Sequence, residues 1–270
     1  MTRKITLGPV NRVEGELEVQ LKLDQGMVEA AYVKSTLYRG FENLLTGKHP
    51  MDALTITPRI CGICSVSQSV AAARAIADLA QATMPANGER VTNIILATEV
   101  VTDLLTHFYL FFTPDFADPA YAGEPWSVEA QKRYTAIKGE RHALMLKARA
   151  EFLHIMGILA GKWPHSLVFQ PGGVSNNVTL AEQLKLQGIV AGFRHFLETY
   201  LFADSLEEIA TLDSLQGLQQ WRQNQPDRAG DLALFLDIAD SLKLEQAGSG
   251  YNHFLAYPAF GVAGADYYSG

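Results

Sequence analysis

The sequence predicts an α+β, mainly helical protein, with a small N-terminal antiparallel sheet followed by a bundle of long helices. Three observations carry that expectation. Apolar and polar residues alternate with period two near the N-terminus; beyond Pro58 the apolar period becomes helical and stays so. The composition, 48% hydrophobic and 19% charged over 270 residues, is that of a chain that folds around a core.

From Lys4 to Ser35 the pattern is strand-like. Ile5 and Leu7 alternate with polar residues, as do Leu17, Val19, Leu21 and Leu23, and Asp24-Gln25-Gly26 supplies a hairpin turn before Val28. Ser65 to Thr83 is rich in alanine, which favours helix and lets neighbouring helices approach closely. Glu89 to Phe112, Ser127 to Leu159 and Leu180 to Ala210 each read as one further long helical periodicity. Pro, Gly, Asn and Asp concentrate in the connections at 84–88, 113–125, 162–173 and 223–230. The expected organisation is a β-rich segment over 1–55 and a helical core over 56–270 within one structural domain. The stretch 256–270, rich in Gly and aromatic residues, lacks the pattern of a finished C-terminus, so the chain is expected to be a fragment.

Charge excludes some functions. Twenty-two basic against 29 acidic side chains leave a net charge of -7, the wrong sign for a surface that must neutralise phosphates, so nucleic acid is not an expected partner. Apolar runs such as Ile94–Ala97 and Leu153–Ala160 are interrupted by Glu99 or His154. They fall short of the roughly 20 residues that a bilayer requires, and no direct membrane insertion is expected. The N-terminus has neither an apolar targeting core nor a twin arginine, which places the expected location in the cytoplasm.

Two cysteines in 270 residues cannot make a disulfide framework, and both lie in the unit Cys61-Gly62-Ile63-Cys64. It stands just before the alanine-rich helix, with Ser65 and Ser67 available as caps. Thiols at a helix N-terminus ordinarily have a lowered pKa, and the i, i+3 spacing can bring both sulfurs to one metal edge. A structural zinc site would need two more ligands from a second cysteine pair or a His-x3-5-His, and the chain has neither. A thioredoxin-like dithiol would call for a strand before the motif, whereas the surroundings are helical. Packed, chemically idle thiols and one half of a larger metal centre are the other readings.

Five segments, in order, decide among these. They are Asn11-Arg12-Val13-Glu14-Gly15, Tyr38-Arg39-Gly40-Phe41-Glu42, Arg59-Ile60-Cys61-Gly62-Ile63-Cys64, Asp103-Leu104-Leu105-Thr106-His107-Phe108-Tyr109, and Gly161-Lys162-Trp163-Pro164-His165 with Gly172-Gly173-Val174. Together the chain resembles the large subunit of nickel-iron hydrogenases from Gly8 to about Thr179, which implies the helical bundle of those subunits. The resemblance implies that Cys61 is a terminal nickel ligand and that Cys64 bridges nickel and iron, soft sulfur donors suiting a centre whose iron also carries cyanide and carbon monoxide. By the same matching Glu14 passes protons between a nickel-bound cysteine and solvent, and Glu42 is a ligand to magnesium, a hard cation that prefers oxygen. Asp103 matches a carboxylate that sits above the centre without binding it. Taken alone, these three residues would read as a loop carboxylate, a helix surface charge and a solvated helical Asp.

The sequence departs from the family's pattern in three places. Where most members carry His four residues after the second cysteine, this chain has Gln68; Ser65-Val66-Ser67-Gln68 resembles the hydrogen-sensing (regulatory) hydrogenases and the related cyanobacterial uptake enzymes. Gln donates a hydrogen bond to sulfur but does not titrate. Leu104 and Leu110 also replace His in many relatives, which implies drier surroundings. The family closes its nickel site with a second C-x2-C, and no cysteine follows Cys64 here.

The resemblance therefore implies the N-terminal portion of a nickel-iron hydrogenase large subunit that cleaves hydrogen heterolytically and serves as a hydrogen sensor. Electrons would leave through iron-sulfur clusters on a small subunit, making a heterodimer served by maturation proteins and, for the sensing type, a signalling kinase. An uptake hydrogenase and a metal-free, hydrogenase-like assembly scaffold are the alternatives.

Overall fold

A computed structural model describes residues 2–10, 16–35, 37–225, 229–248, 253 and 260. They fall into two compact units, residues 1–48 and 49–270, where the sequence pattern divides at 55. In the first unit, strands β1 (Arg3–Val10), β2 (Leu17–Asp24) and β3 (Met27–Ser35) form an antiparallel sheet in the order β1-β2-β3. The expected hairpin is present. Asp24 pairs with Met27, and both residues between them have positive φ, Gln25 at 49° and Gly26 at 83°, the backbone that a two-residue turn between right-twisted strands requires. Period-two alternation sets the register: Ile5, Leu21 and Ala31 stand abreast, as do Leu7, Val19 and Val33. Helix α1 (Phe41–Leu45) follows. No described residue of this unit is buried.

The second unit is helical and holds the core. Helix α2 (Ala53–Ile56) leads through a 3-10 turn at Thr57–Arg59 to α3 (Ser65–Leu79), which packs on α4 (Ala86–Thr106). Without a break α4 widens into a π-helical segment, His107–Phe112. Together with α3, the helices at Glu140–Phe152 and His154–Ala160 pack against α4, and Ile95, Met145, Ile155, Met156 and Leu159 are almost wholly buried there. Counted on to Ala117, the run from Ala86 is long and apolar enough to cross a membrane by length and composition. Within it, Glu99 interrupts the apolar run that begins at Ile94. In the structure Val91, Ile95, Leu96 and Leu105 of this helix belong to the protein core.

Two other expectations change. The periodicity from Ser127 to Leu159 is three helices, α5 (Ser127–Tyr134), α6 (Glu140–Phe152) and α7 (His154–Ala160). The chain leaves α5 at Thr135, where ψ is 127°, and Ile137 takes a positive φ of 66°. Apolar spacing does not register this turn because all three helices bury one face in the same core. After the two-residue strands β4 (Phe169–Gln170) and β5 (Gly173–Val174), the periodicity from Leu180 likewise divides. Helix α8 (Leu180–Phe196) passes into a π-helical segment (Leu197–Leu201), and Ser205 then accepts the Glu208 amide hydrogen to start α9 (Leu206–Ala210). A capping box at Thr179 and Glu182 opens α8. Beyond the expected elements lie α10 (Leu215–Asn224) and α11 (Asp231–Leu242).

Candidate metal-binding thiol pair

Cys61 and Cys64 are free, half-buried thiols at the end of the short loop that enters α3. Cys64 takes the N-cap position of that helix, yet its side chain accepts no cap hydrogen bond. Its sulfur instead accepts from the Gln68 side-chain amide at 3.1 Å, one helical turn on. The Cys64 thiol is pushed up to about 11, by burial first, then by the Cys61 hydrogen bond and the negative charges of Cys61 and Glu99, while the Gln68 donor works in the other direction. This overturns the lowering expected at a helix N-terminus, because burial and neighbouring negative charge outweigh the favourable end of the helix.

The cap comes from another helix. Glu99, 2% exposed, projects from α4 and accepts the backbone N–H of Val66 at 2.8 Å on one oxygen and that of Ser67 at 2.8 Å on the other. The Ser67 hydroxyl donates to it at 3.0 Å and the Trp163 indole N–H at 3.2 Å. Trp163 belongs to the loop that follows α7, and that loop closes over the cysteines. The His165 backbone N–H donates to Ser65 Oγ at 3.2 Å, His165 Nδ1 lies 2.9 Å from the Pro58 carbonyl, and a side chain on Gly62 would touch Pro164 at 3.6 Å. Arg149 stacks over the Trp163 ring and donates to Thr106, also on α4, at 3.0 Å. Ser65 and Ser67, expected as caps, are instead held by the loop and by Glu99.

Of the site residues expected from sequence, the structure brings together Cys61, Cys64 and Gln68. Asp103 lies four residues beyond Glu99 on α4, is exposed, and among the described residues makes no hydrogen bond to the thiols. Glu42 is exposed in the first turn of α1, in the other unit, where its carbonyl accepts from Thr46 Oγ1. Glu14 lies outside the described residues. Of the two leucines whose replacement of His implied dry surroundings, Leu104 is 64% exposed and Leu110 is half-buried against the core. Sequence reasoning missed Glu99, treating it as the interruption of an apolar run. The available signal was that interruption itself, since a carboxylate on the buried side of an apolar helix must be satisfied by donors.

The donor chemistry fits a nickel-iron centre at one edge: two soft sulfurs from one loop, with an N–H already donated to one of them. Among the described residues no group of three or more His, Cys, Asp or Glu could hold a metal alone. The buried oxygen of the Gln68 amide has no hydrogen-bond partner among the described residues.

Comparison with known proteins agrees with this chemistry. A family model for nickel-dependent hydrogenases matches residues 39–143, which contain the thiol pair, Gln68 and Glu99. The Hydrogenase-2 large chain of Escherichia coli (strain K12) is 29% identical over 200 residues, 68% of this chain and 34% of that protein. The uptake hydrogenase large subunit of Rhodobacter capsulatus is 31% identical over 121 residues, 44% of this chain and 20% of that one. This chain thus spans about a third of the length of the first of these relatives, 34%. In fold it is similar to the Ni-Fe-Se hydrogenase of D. vulgaris Hildenborough in the reduced state, with a TM-score of 0.62 and 25% identity over 73% of this chain and 42% of that chain. In sequence over part of its length and in fold, the chain is thus similar to the large subunits of nickel-dependent hydrogenases.

Proposed function

We infer that the chain is part of a nickel-iron hydrogenase that cleaves hydrogen heterolytically and serves as a hydrogen sensor, with Cys61 as a terminal nickel ligand and Cys64 as the sulfur shared between nickel and iron. The observation that carries this reading is the thiol pair at the start of α3 with the Gln68 amide N–H directed at Cys64 Sγ. The bound centre, its iron carrying cyanide and carbon monoxide, would supply the Lewis acid that polarises hydrogen. Gln68 keeps its hydrogen bond to sulfur at any pH in the working range because it does not titrate, and the sensing role rests on the resemblance of the Ser65–Gln68 motif that contains it. Glu14 is the residue to carry the proton away, Glu42 a magnesium ligand and Asp103 a carboxylate above the centre, each supported by the motif that contains it. Electrons would leave through an iron-sulfur small subunit, because two cysteines cannot hold both this centre and a cluster. Maturation proteins and a signalling kinase complete the proposed set of partners.

Nickel and iron analysis of the complex that carries this chain, purified from cells that produce it, tests the reading. Wild type should hold nickel in about equal amount to the chain, and Cys61→Ala and Cys64→Ala should each lose it, since no neighbouring side chain replaces a thiolate. Full nickel in either variant would overturn the assignment. The uptake reading is favoured by the name of the Rhodobacter capsulatus relative; fast turnover with an added electron acceptor would decide for it over a sensor.

A further inference from the structure

We propose that Glu99 is the positioning residue that presents the Cys61 and Cys64 sulfurs as a preformed chelating pair. An N-cap residue ordinarily uses its own side chain to accept from the second or third amide of the helix. Were Cys64 to do so, its sulfur would turn back over α3 and away from Cys61. Glu99 takes over that task from α4, satisfying both orphan amides, and leaves the Cys64 sulfur to Cys61 and Gln68. The same carboxylate accepts from Trp163, so one group ties the start of α3, the middle of α4 and the loop that closes over Gly62. All four of its hydrogen bonds are received on two oxygens, and a side chain with an N–H2 in place of one oxygen cannot receive them. This inference rests on the metal-binding reading only for the identity of the ligand; the presentation of the pair is a separate claim.

The test uses the whole chain with its thiols reduced. Phenylarsine oxide requires two sulfurs at chelating distance: two As–S bonds form, and the two thiol protons leave with the arsenical oxygen as water. In a second arm Ni(II) alone is titrated and followed by thiolate-to-nickel charge-transfer absorption. Glu99→Gln, still helical by circular dichroism, should bind both probes about 10–100-fold more weakly, the range for loss of an outer partner of a metal ligand. Trp163→Phe, which removes one of the four bonds, should fall between the variant and wild type. A merely structural role would lower Tm and leave the folded variant's affinities at wild-type values, and that result overturns the proposal. Capture of the arsenical without nickel in wild type leaves the positioning role standing, and the metal reading is then decided by the nickel content of the complex. Should Glu99→Gln not fold, Trp163→Phe and amide exchange in wild type decide: unprotected Val66 and Ser67 amides would overturn the clamp.

Discussion

Among the described residues, Asp231 and Glu99 are the most enclosed carboxylates, and they solve burial differently. Asp231 is wholly buried and accepts from Tyr109 at 2.7 Å, Arg133 at 3.0 Å and Arg141 at 2.9 Å, while its carbonyl accepts from Tyr134 at 3.0 Å. It knits the π-helical segment after α4 to α5, α6 and α11. Asp231→Asn removes the buried anion shared by Arg133 and Arg141, of which Arg133 keeps Glu129 at 2.6 Å, and should cost about 3–5 kcal/mol, measured as the shift in a urea unfolding curve. A loss below about 1 kcal/mol would mean that the arginines find water or another partner. Glu99 is bound by neutral donors and serves the thiol pair. Neither role was legible in the sequence. Cys61, Cys64 and Gln68 could be found because they stand together in one short stretch of sequence whose motif resembles a known family. Glu99 and Asp231 act through partners scattered across the fold, and no local spacing encodes such a partnership.

The elements were legible wherever a period ran along a single axis. The hairpin at Gln25 and Gly26 and the start of α3 at Ser65 fall where the pattern puts them. The long runs from Ser127 and Leu180 did not stay single, because a helix that bends around a core keeps its apolar face while changing direction. Helix α11 went unread although its N-terminus is tightly specified. A Cβ on Gly230, the residue before it, would stand 2.5 Å from the Phe202 carbonyl oxygen, beside the π-helical segment that ends α8. Its φ of -84° suits any residue, so the constraint is space and not backbone conformation. Gly230→Ala should therefore destabilise by about 1–3 kcal/mol as α11 is pushed off that backbone. A thermal melt would register it as a drop of several degrees, and an unchanged Tm would show that the two segments separate freely.

At the scale of the molecule, every buried hydrophobic side chain described lies at or beyond Leu54, in the second unit. Residues 49–270 produced alone should keep a cooperative helical melt by circular dichroism. Residues 1–48 alone should show no stable sheet, because three strands need a covered apolar face. A cooperative melt of the short piece would show that its cross-strand pairs suffice. The hydrogen bonds around the cysteines carry a further consequence, for the order in which the molecule is made. The carboxylate that caps α3 is 33 residues beyond Val66, and the loop residue that grips Ser65 is 100 residues beyond it. At about 5–20 residues added per second, the two sulfurs leave the ribosome roughly 5–20 s before the last residue that holds them. During that interval they are two thiols on a floppy chain, able to meet an oxidant or a stray metal ion, and whatever protects them then must come from outside the polypeptide.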